Sequence, residues 1–249
     1  LWAWHSSRVH QIARDVDLLL SIFPFEKEWY AKRAPGFPVE FVGHPLCDRC
    51  PDLEFREPHE LHDPPRLLLL PGSRAKEISR HLPTMAAAAR KLSVEPMIVF
   101  PNESLAAQAR LITPAVADWD LRIGGLHEAL AEADVAIASS GTVTLECAWF
   151  RVPTVVLYKT SWITYLLGRL FVKIKHIAMP NVLAEREVFP EFIQRAATPQ
   201  SLAREASRFL DNTSRRKTLR ADLNQIAQTL GQKGAAPRAA KAVVRLLAD

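Results

Sequence analysis

Cysteine is nearly missing from this chain: Cys47, Cys50 and Cys147 are the only three in 249 residues. An odd, low count with no secretory signal in view argues against a disulfide framework, and a reducing, cytoplasmic setting is expected. No apolar run reaches the ~18 residues of a spanning helix. Glycine is scarce, nine in all, and forms neither GxGxxG nor a Walker sequence, so neither a dinucleotide nor a P-loop is indicated. No block of Lys and Arg is interleaved with aromatics, which removes the usual footprint of nucleic-acid binding. The net charge is only +5, an excess that suits phosphate-bearing ligands or an anionic membrane face. An initiator Met is missing too. The opening Leu1-Trp2-Ala3-Trp4 reads like the end of a strand, which predicts a longer parent protein.

What is present is an alternation of strands and helices in a chain that is 48% hydrophobic. Arg8 to Asp15 is helical, and Asp17 to Phe23 is an apolar run of strand length, the mark of a parallel strand covered on both faces. Glu26 to Arg33 is helix-like and Val39 to Val42 is a strand. Residues 48–65 hold four prolines and many charges and read as a linker. Arg66 to Leu70 is then a strand, with Ile78, Leu82, Met85, Ala89 and Leu92 at helical spacing behind it. Further strands are expected at Met97 to Phe100, Leu121 to Ile123, Val135 to Ala138 and Thr154 to Leu157. This alternation predicts an α/β fold with a Rossmann-like, doubly wound parallel sheet. Beyond Asn181 the chain turns helical, around Leu202, Ala206 and Phe209 and again around Leu219, Leu223, Ile226 and Leu230. Pro237 suits the first turn of a last helix.

Four of the nine glycines fall at strand-to-helix junctions: Gly72, Gly124, Gly125 and Gly141. In an open α/β sheet ligands bind at these carboxyl ends, and glycine lets the backbone come close. Pro71-Gly72-Ser73-Arg74 joins a helix N-terminus, a capping Ser73 and a permanently charged Arg74, which together suit a phosphate. The plainer reading is a capped helix with a solvated arginine. Ser139-Ser140-Gly141-Thr142 with Glu146 is a second site, where the carboxylate can accept the hydroxyls of a ribose or simply complement the helix dipole. Met179-Pro180-Asn181, with Glu185-Arg186-Glu187 and Pro190-Glu191, either lines a cleft or is a surface loop. Cys47-x-x-Cys50 with His59-x-x-His62 lacks zinc-finger spacing, so no metal is expected. Asp15-x-Asp17 reads as solvated capping chemistry rather than a metal motif. Ser161 to Lys175, apolar and aromatic with basic edges, suits a helix on an anionic membrane or one packed on the core.

Taken in order, Trp2-Ala3-Trp4, Phe23-Pro24-Phe25-Glu26, Phe41-Val42-Gly43-His44-Pro45, Leu70 to Arg74, Ser140-Gly141-Thr142 with Leu145-Glu146, Pro180-Asn181, and Arg186-Glu187 leading to Pro190-Glu191 and Gln194 resemble the lipid-A-disaccharide synthases, glycosyltransferases of the GT-B class. The resemblance implies two Rossmann-like domains: the end of an acceptor-side domain over 1–48, a linker over 49–65, a complete donor domain over 66–200 and C-terminal helices over 201–249. It implies an inverting, β-1,6-forming transfer from UDP-2,3-diacylglucosamine to 2,3-diacylglucosamine 1-phosphate with no metal and no cofactor, on the inner face of the cytoplasmic membrane. A homodimer through the C-terminal helices is a further implication. Carried over by motif, Gly72, Ser73 and Arg74 serve the phosphates and Glu146 the ribose. Ser140, Gly141, Thr142 and Asn181 line the UDP-sugar cleft, with Arg74 and Asn181 in catalytic roles. His44 falls on a motif without an assigned role. Two departures stand out: the segment thought to carry the catalytic carboxylate would precede Leu1, and Glu185 stands where the family often has a small residue. A UDP-sugar-binding fragment without turnover, or a 2-epimerase-like enzyme, are the alternatives.

Overall fold

The computed structural model describes residues 6–50, 61–162, 165 and 175–248. By its internal contacts the chain divides into two units, Leu1–Asp52 with Leu166–Ile174 and Gln225–Asp249, and Leu53–Tyr165 with Lys175–Asn224.

In the first unit helix α1 (Val9–Asp15), strand β1 (Leu19–Ser21), helix α2 (Pro24–Ala31), strand β2 (Val39–Phe41) and the single turn α3 (Leu46–Arg49) follow one another. β1 and β2 pair in parallel, Leu19 opposite Val39. Val9, Tyr30 and Ala34 form a small core with Leu19, Trp29 and Phe37 against it. The strand read from Asp17 to Phe23 is thus only three residues long. Its Leu19 and Leu20 stay half-exposed, since β2 is its one partner among the described strands. His44 is structural here: its buried Nδ1 accepts from the Leu46 N–H at 3.1 Å, and its own N–H donates to the Leu230 carbonyl at 2.8 Å.

The second unit is built on β3 (Arg66–Leu70), α4 (Ala75–Ala89), β4 (Glu95–Phe100), α5 (Glu103–Ile112), β5 (Asp120–Ile123), α6 (Leu126–Glu132), β6 (Val135–Ser139), α7 (Val143–Trp149), β7 (Thr154–Tyr158), α8 (Met179–Ala184), β8 (Glu191–Ile193), α9 (Pro199–Asp211) and the greater part of α10 (Thr213–Thr229), whose residues from Gln225 on belong to the first. The six strands form one parallel sheet in the order β5-β4-β3-β6-β7-β8. Leu67, Leu68 and Leu69 in β3 and Val135 to Ala138 in β6 have no exposed surface, as strands covered on both faces should. Helix α4 covers the sheet with Ile78, Leu82 and Met85, each fully buried and each stabilising by roughly 1.5–3 kcal/mol. Helix α9 packs on α4, β6 and β7 through Leu202, Ala206 and Phe209. Its start is fixed by Thr198, whose hydroxyl accepts from the Ser201 N–H.

The strand order reverses between β3 and β6, which opens a crevice at their carboxyl ends. Helix α10 carries the chain onward to α11 (Ala235–Ala248), which belongs to the first unit. There Asp48 accepts from the Gly234 and Ala235 N–H groups at the start of α11. No helix among the described residues is long and apolar enough to cross a membrane. Most of the basic-edged stretch Ser161 to Lys175 lies outside the described residues, as do Trp2-Ala3-Trp4 and His59. Among the described residues no cluster of three or more His, Cys, Asp or Glu is placed to hold a metal ion.

Candidate functional site

The crevice at the β3–β6 reversal is a cleft of about 500 Å³, within the ~300–1,000 Å³ usual for small-ligand sites. Each of its walls is the junction after one strand. The β3 junction supplies Gly72, Ser73, Arg74 and Glu77, and the β4 junction supplies Val99, Phe100 and Pro101. Gly124 and Leu126 follow β5, and Ser139 to Val143 with Glu146 follow β6.

At the first junction Gly72 has φ +121°, a conformation open to glycine, and the chain then turns into α4. The helix cap is Arg74, in extended conformation, and its side chain makes no capping bond. Ser73 is therefore not the cap that its type and position suggested. The terminus is closed from inside by Glu77 at the third helical position, whose Oε2 accepts from the Ser73 N–H at 3.1 Å. Its Oε1 accepts from Arg74 Nη1 at 2.7 Å. The helix spacing makes this possible, because a carboxylate at that position reaches back over the first turn. The Arg74 side chain is 78% exposed on the cleft's rim, whereas Glu77 is only 26% exposed.

At the β5 junction Gly125 caps α6 in the left-handed region, φ +65°. At the β6 junction Gly141 leaves room rather than bending the chain: a Cβ there would meet nothing within 4 Å. Thr142 caps α7, and Glu146 sits one turn in with its side chain 13% exposed. His127 Nε2 lies 3.6 Å from Glu146 Oε2 and its ring rests on Phe150 at 5.3 Å. Ser140 faces the cleft, but its hydroxyl donates to the Ile177 carbonyl at 2.9 Å.

Seven of the eight residues expected in the site, Gly72, Ser73, Arg74, Ser140, Gly141, Thr142 and Glu146, thus line one cleft. Asn181 does not line it. Its amide has no exposed surface. Nδ2 donates to the Phe189 carbonyl and to Glu191 Oε1, both at 2.7 Å. Oδ1 accepts from the Val188 N–H at 2.8 Å and the Phe189 N–H at 2.7 Å. Glu191 in turn accepts from the Ile177 and Ala178 N–H groups. Gln194 brackets Thr160, accepting from its N–H at 3.0 Å and donating to its carbonyl at 3.1 Å. These three side chains tie the loop between β7 and β8 to itself. Glu185 ends α8 in the left-handed region, φ +53°.

Several lining residues escaped the sequence reading, among them Val99, Phe100, Pro101, Leu126, Val143 and Glu77. Phe100, Pro101 and Leu126 are uncharged walls and carry no sequence signal of a site. Glu77 has one, an acid three positions after the helix cap, but at a cap without a serine or threonine. Behind the cleft His81 is fully buried: Nδ1 lies 2.8 Å from the Pro71 carbonyl, and Nε2 accepts from the Lys159 N–H at 3.0 Å. It is neutral, its pKa lowered mainly by burial. Lys159, also lowered by burial, donates to Thr84 Oγ1 at 2.7 Å. The Cys147 thiol on α7 is pushed up to about 12 by full burial and is inert.

A second cleft, of about 520 Å³, runs between Arg186 and Asp222 near the α9–α10 turn. Both of its arginines are paired: Arg186 with Asp222 at 2.8 Å and Arg215 with Glu205 at 3.0 Å. It adjoins the amino end of β8 and not the strands' carboxyl ends, so the cleft at the reversal point is the stronger site.

The sequence model of the family described as lipid-A-disaccharide synthetase matches residues 1–245. The lipid-A-disaccharide synthase of Thiobacillus denitrificans is 38% identical over 257 residues, 99% of this chain and 68% of that one. That of Myxococcus xanthus is 37% identical over 263 residues, 99% of this chain and 67% of that one. The chain thus spans about two thirds of the length of these relatives. Among solved structures, S. aureus MnaA with UDP has a TM-score of 0.59 at 12% identity, covering 96% of this chain and 63% of that one. Acinetobacter baumannii MurG has 0.57 at 17%, covering 95% and 62%. At such identities the likeness speaks for the fold, which is α/β of the GT-B type.

Proposed function

Because this chain belongs to the lipid-A-disaccharide synthetase family, a family of glycosyltransferases, we propose that its cleft at the β3–β6 reversal takes the UDP end of the donor UDP-2,3-diacylglucosamine. The observation that carries this reading is the convergence of four strand ends on one cleft with a helix N-terminus, an arginine and a nearly buried carboxylate around it.

The chemistry divides along the walls. The diphosphate is a dianion or more, so it belongs at the start of the fifteen-residue helix α4, where backbone N–H groups and the helix dipole favour negative charge. Arg74 adds a planar, permanently charged fork at the rim. The ribose hydroxyls suit Glu146, held beside His127 and next to Thr142 at the far wall. Val99, Phe100, Pro101 and Leu126 offer an uncharged face to the base. When the glycosidic bond breaks, charge grows on the diphosphate, and the α4 terminus with Arg74 stabilises the departing UDP. Asn181 contributes by fixing the β7–β8 loop and not by touching the sugar. UDP in the S. aureus MnaA structure is in keeping with this nucleotide class on a similar fold.

In this reading the reaction is an inverting transfer to 2,3-diacylglucosamine 1-phosphate, with the general base supplied outside the cleft described here. The protein works at the inner face of the cytoplasmic membrane, where both lipid substrates reside. The exposed Val243, Val244, Leu246 and Leu247 of α11 suit a homodimer contact. The test is transfer itself: the full-length protein should form disaccharide and UDP from the two acylated substrates without added metal. Absence of disaccharide under conditions where the protein is folded would overturn the assignment.

A further inference from the structure

The anion-binding end of α4 already holds an anion, and it belongs to the chain. Glu77 accepts from the Ser73 N–H and from Arg74 Nη1, two donors that the diphosphate reading assigns to UDP. The packing is close: a Cβ on Gly72 would lie 2.6 Å from Glu77 Oε2. The carboxylate lies at the wall of the cleft and is about three quarters buried. A phosphate oxygen cannot take those donors while the carboxylate keeps them, because two anions would share one pair of hydrogen-bond sites.

We infer that Glu77 is a built-in placeholder for the diphosphate. In the empty protein it satisfies the loop's donors and holds Gly72 to Arg74 in a binding-ready shape. On binding, its side chain rotates away and the phosphate inherits the donors. After transfer its return competes with UDP and speeds release of that product. The inference rests on the diphosphate reading of the cleft and makes Glu77 a positioning residue that touches Ser73 and Arg74.

Glu77→Gln keeps the size and an acceptor oxygen but removes the charge. Glu77→Ala removes the side chain's reach altogether. Relief of one unit-charge repulsion at about 4 Å in a solvent-facing cleft corresponds to roughly 5- to 10-fold in affinity. Calorimetry with UDP and with uridine should therefore show both variants binding UDP about 5- to 10-fold tighter than wild type, with uridine affinity unchanged. Thermal unfolding without ligand should show both variants folded and slightly less stable. Full-length Glu77→Gln should show a lower KM for the donor and stronger inhibition by UDP.

Equal or weaker UDP binding by both variants, with wild type binding UDP, would overturn the placeholder role and leave the diphosphate site standing. A gain shared by uridine would overturn it as well, since uridine carries no phosphate. If no protein of the three binds UDP, the diphosphate reading itself falls and takes this inference with it. Binding by both variants where wild type shows none would support both, and a gain by Glu77→Gln with none by Glu77→Ala would overturn the placeholder role.

Discussion

Replacing Asn181 by alanine separates an architectural role from a catalytic one. The substitution deletes four hydrogen bonds of 2.7–2.8 Å at a residue with no exposed surface. It strands the N–H groups of Val188 and Phe189 and the Phe189 carbonyl, while Glu191 Oε1 loses one donor and keeps the Ile177 and Ala178 N–H groups. A neutral bond nets about 0.5–1.5 kcal/mol, one to a charged group about 1.5–3, and each stranded buried group costs about 1–3. Partial relaxation of the loop lowers the sum, so we expect a loss of ~3–5 kcal/mol, a large share of the ~5–15 kcal/mol that holds a domain together. Asn181→Asp should be at least as damaging, since it sets a second carboxylate 2.7 Å from Glu191. Urea unfolding followed by tryptophan fluorescence reads the loss as a lower midpoint at similar slope. Protein that remains folded in the cold should bind UDP as wild type does. An unchanged midpoint together with lost UDP binding would refute this reasoning and return Asn181 to the ligand.

Gly72→Ala forces a side chain into φ +121° and against Glu77, 2.6 Å from Oε2 and 2.8 Å from Cβ; a loss of about 1–3 kcal/mol is expected, with weakened UDP binding, both read by calorimetry. Glu185→Gly relieves a left-handed non-glycine residue at the end of α8 and should raise stability by about 0.5–1 kcal/mol in urea unfolding. His81 and His44 both have pKa values lowered below the ordinary 6.5 by burial. The unfolded chain therefore binds protons that the folded one refuses, and stability falls as pH drops below about 6.5, by up to ~1.4 kcal/mol per pH unit for each. His81→Asn, which can still donate to the Pro71 carbonyl, should flatten about half of that slope when urea midpoints are compared between neutral and mildly acid pH.

The features legible from sequence were those set by neighbours along the chain. Leu67 to Leu70 followed by Pro71-Gly72 reads as a buried strand and a tight turn because apolar run, glycine and helix spacing are all local. The same holds for Gly124-Gly125 before α6 and for Leu202, Ala206 and Phe209 on α9. Strand order was not local: alternation predicts a parallel sheet, but only packing brings β3 beside β6 and opens the cleft between them. Asn181 shows the limit most clearly. Its motif and polarity fit a ligand contact, yet its partners, Val188, Phe189 and Glu191, are chosen by how the loop folds back, which no spacing rule encodes. Ser73 and Glu77 teach the same lesson at short range. Two polar residues four apart competed for one helix end, and the longer reach of the glutamate won. The run from Asp17 looked doubly covered, but three residues with one partner strand leave its leucines half-exposed.

The central claim is that UDP occupies the cleft at the β3–β6 reversal. Backbone amide exchange measured with and without saturating UDP tests it most directly. The account predicts added protection at Gly72 to Glu77, at Gly124 to Leu126 and from Ser140 to Glu146, with the Arg186 to Asp222 cleft unchanged. Protection confined to that second cleft, or none at the start of α4, would contradict it.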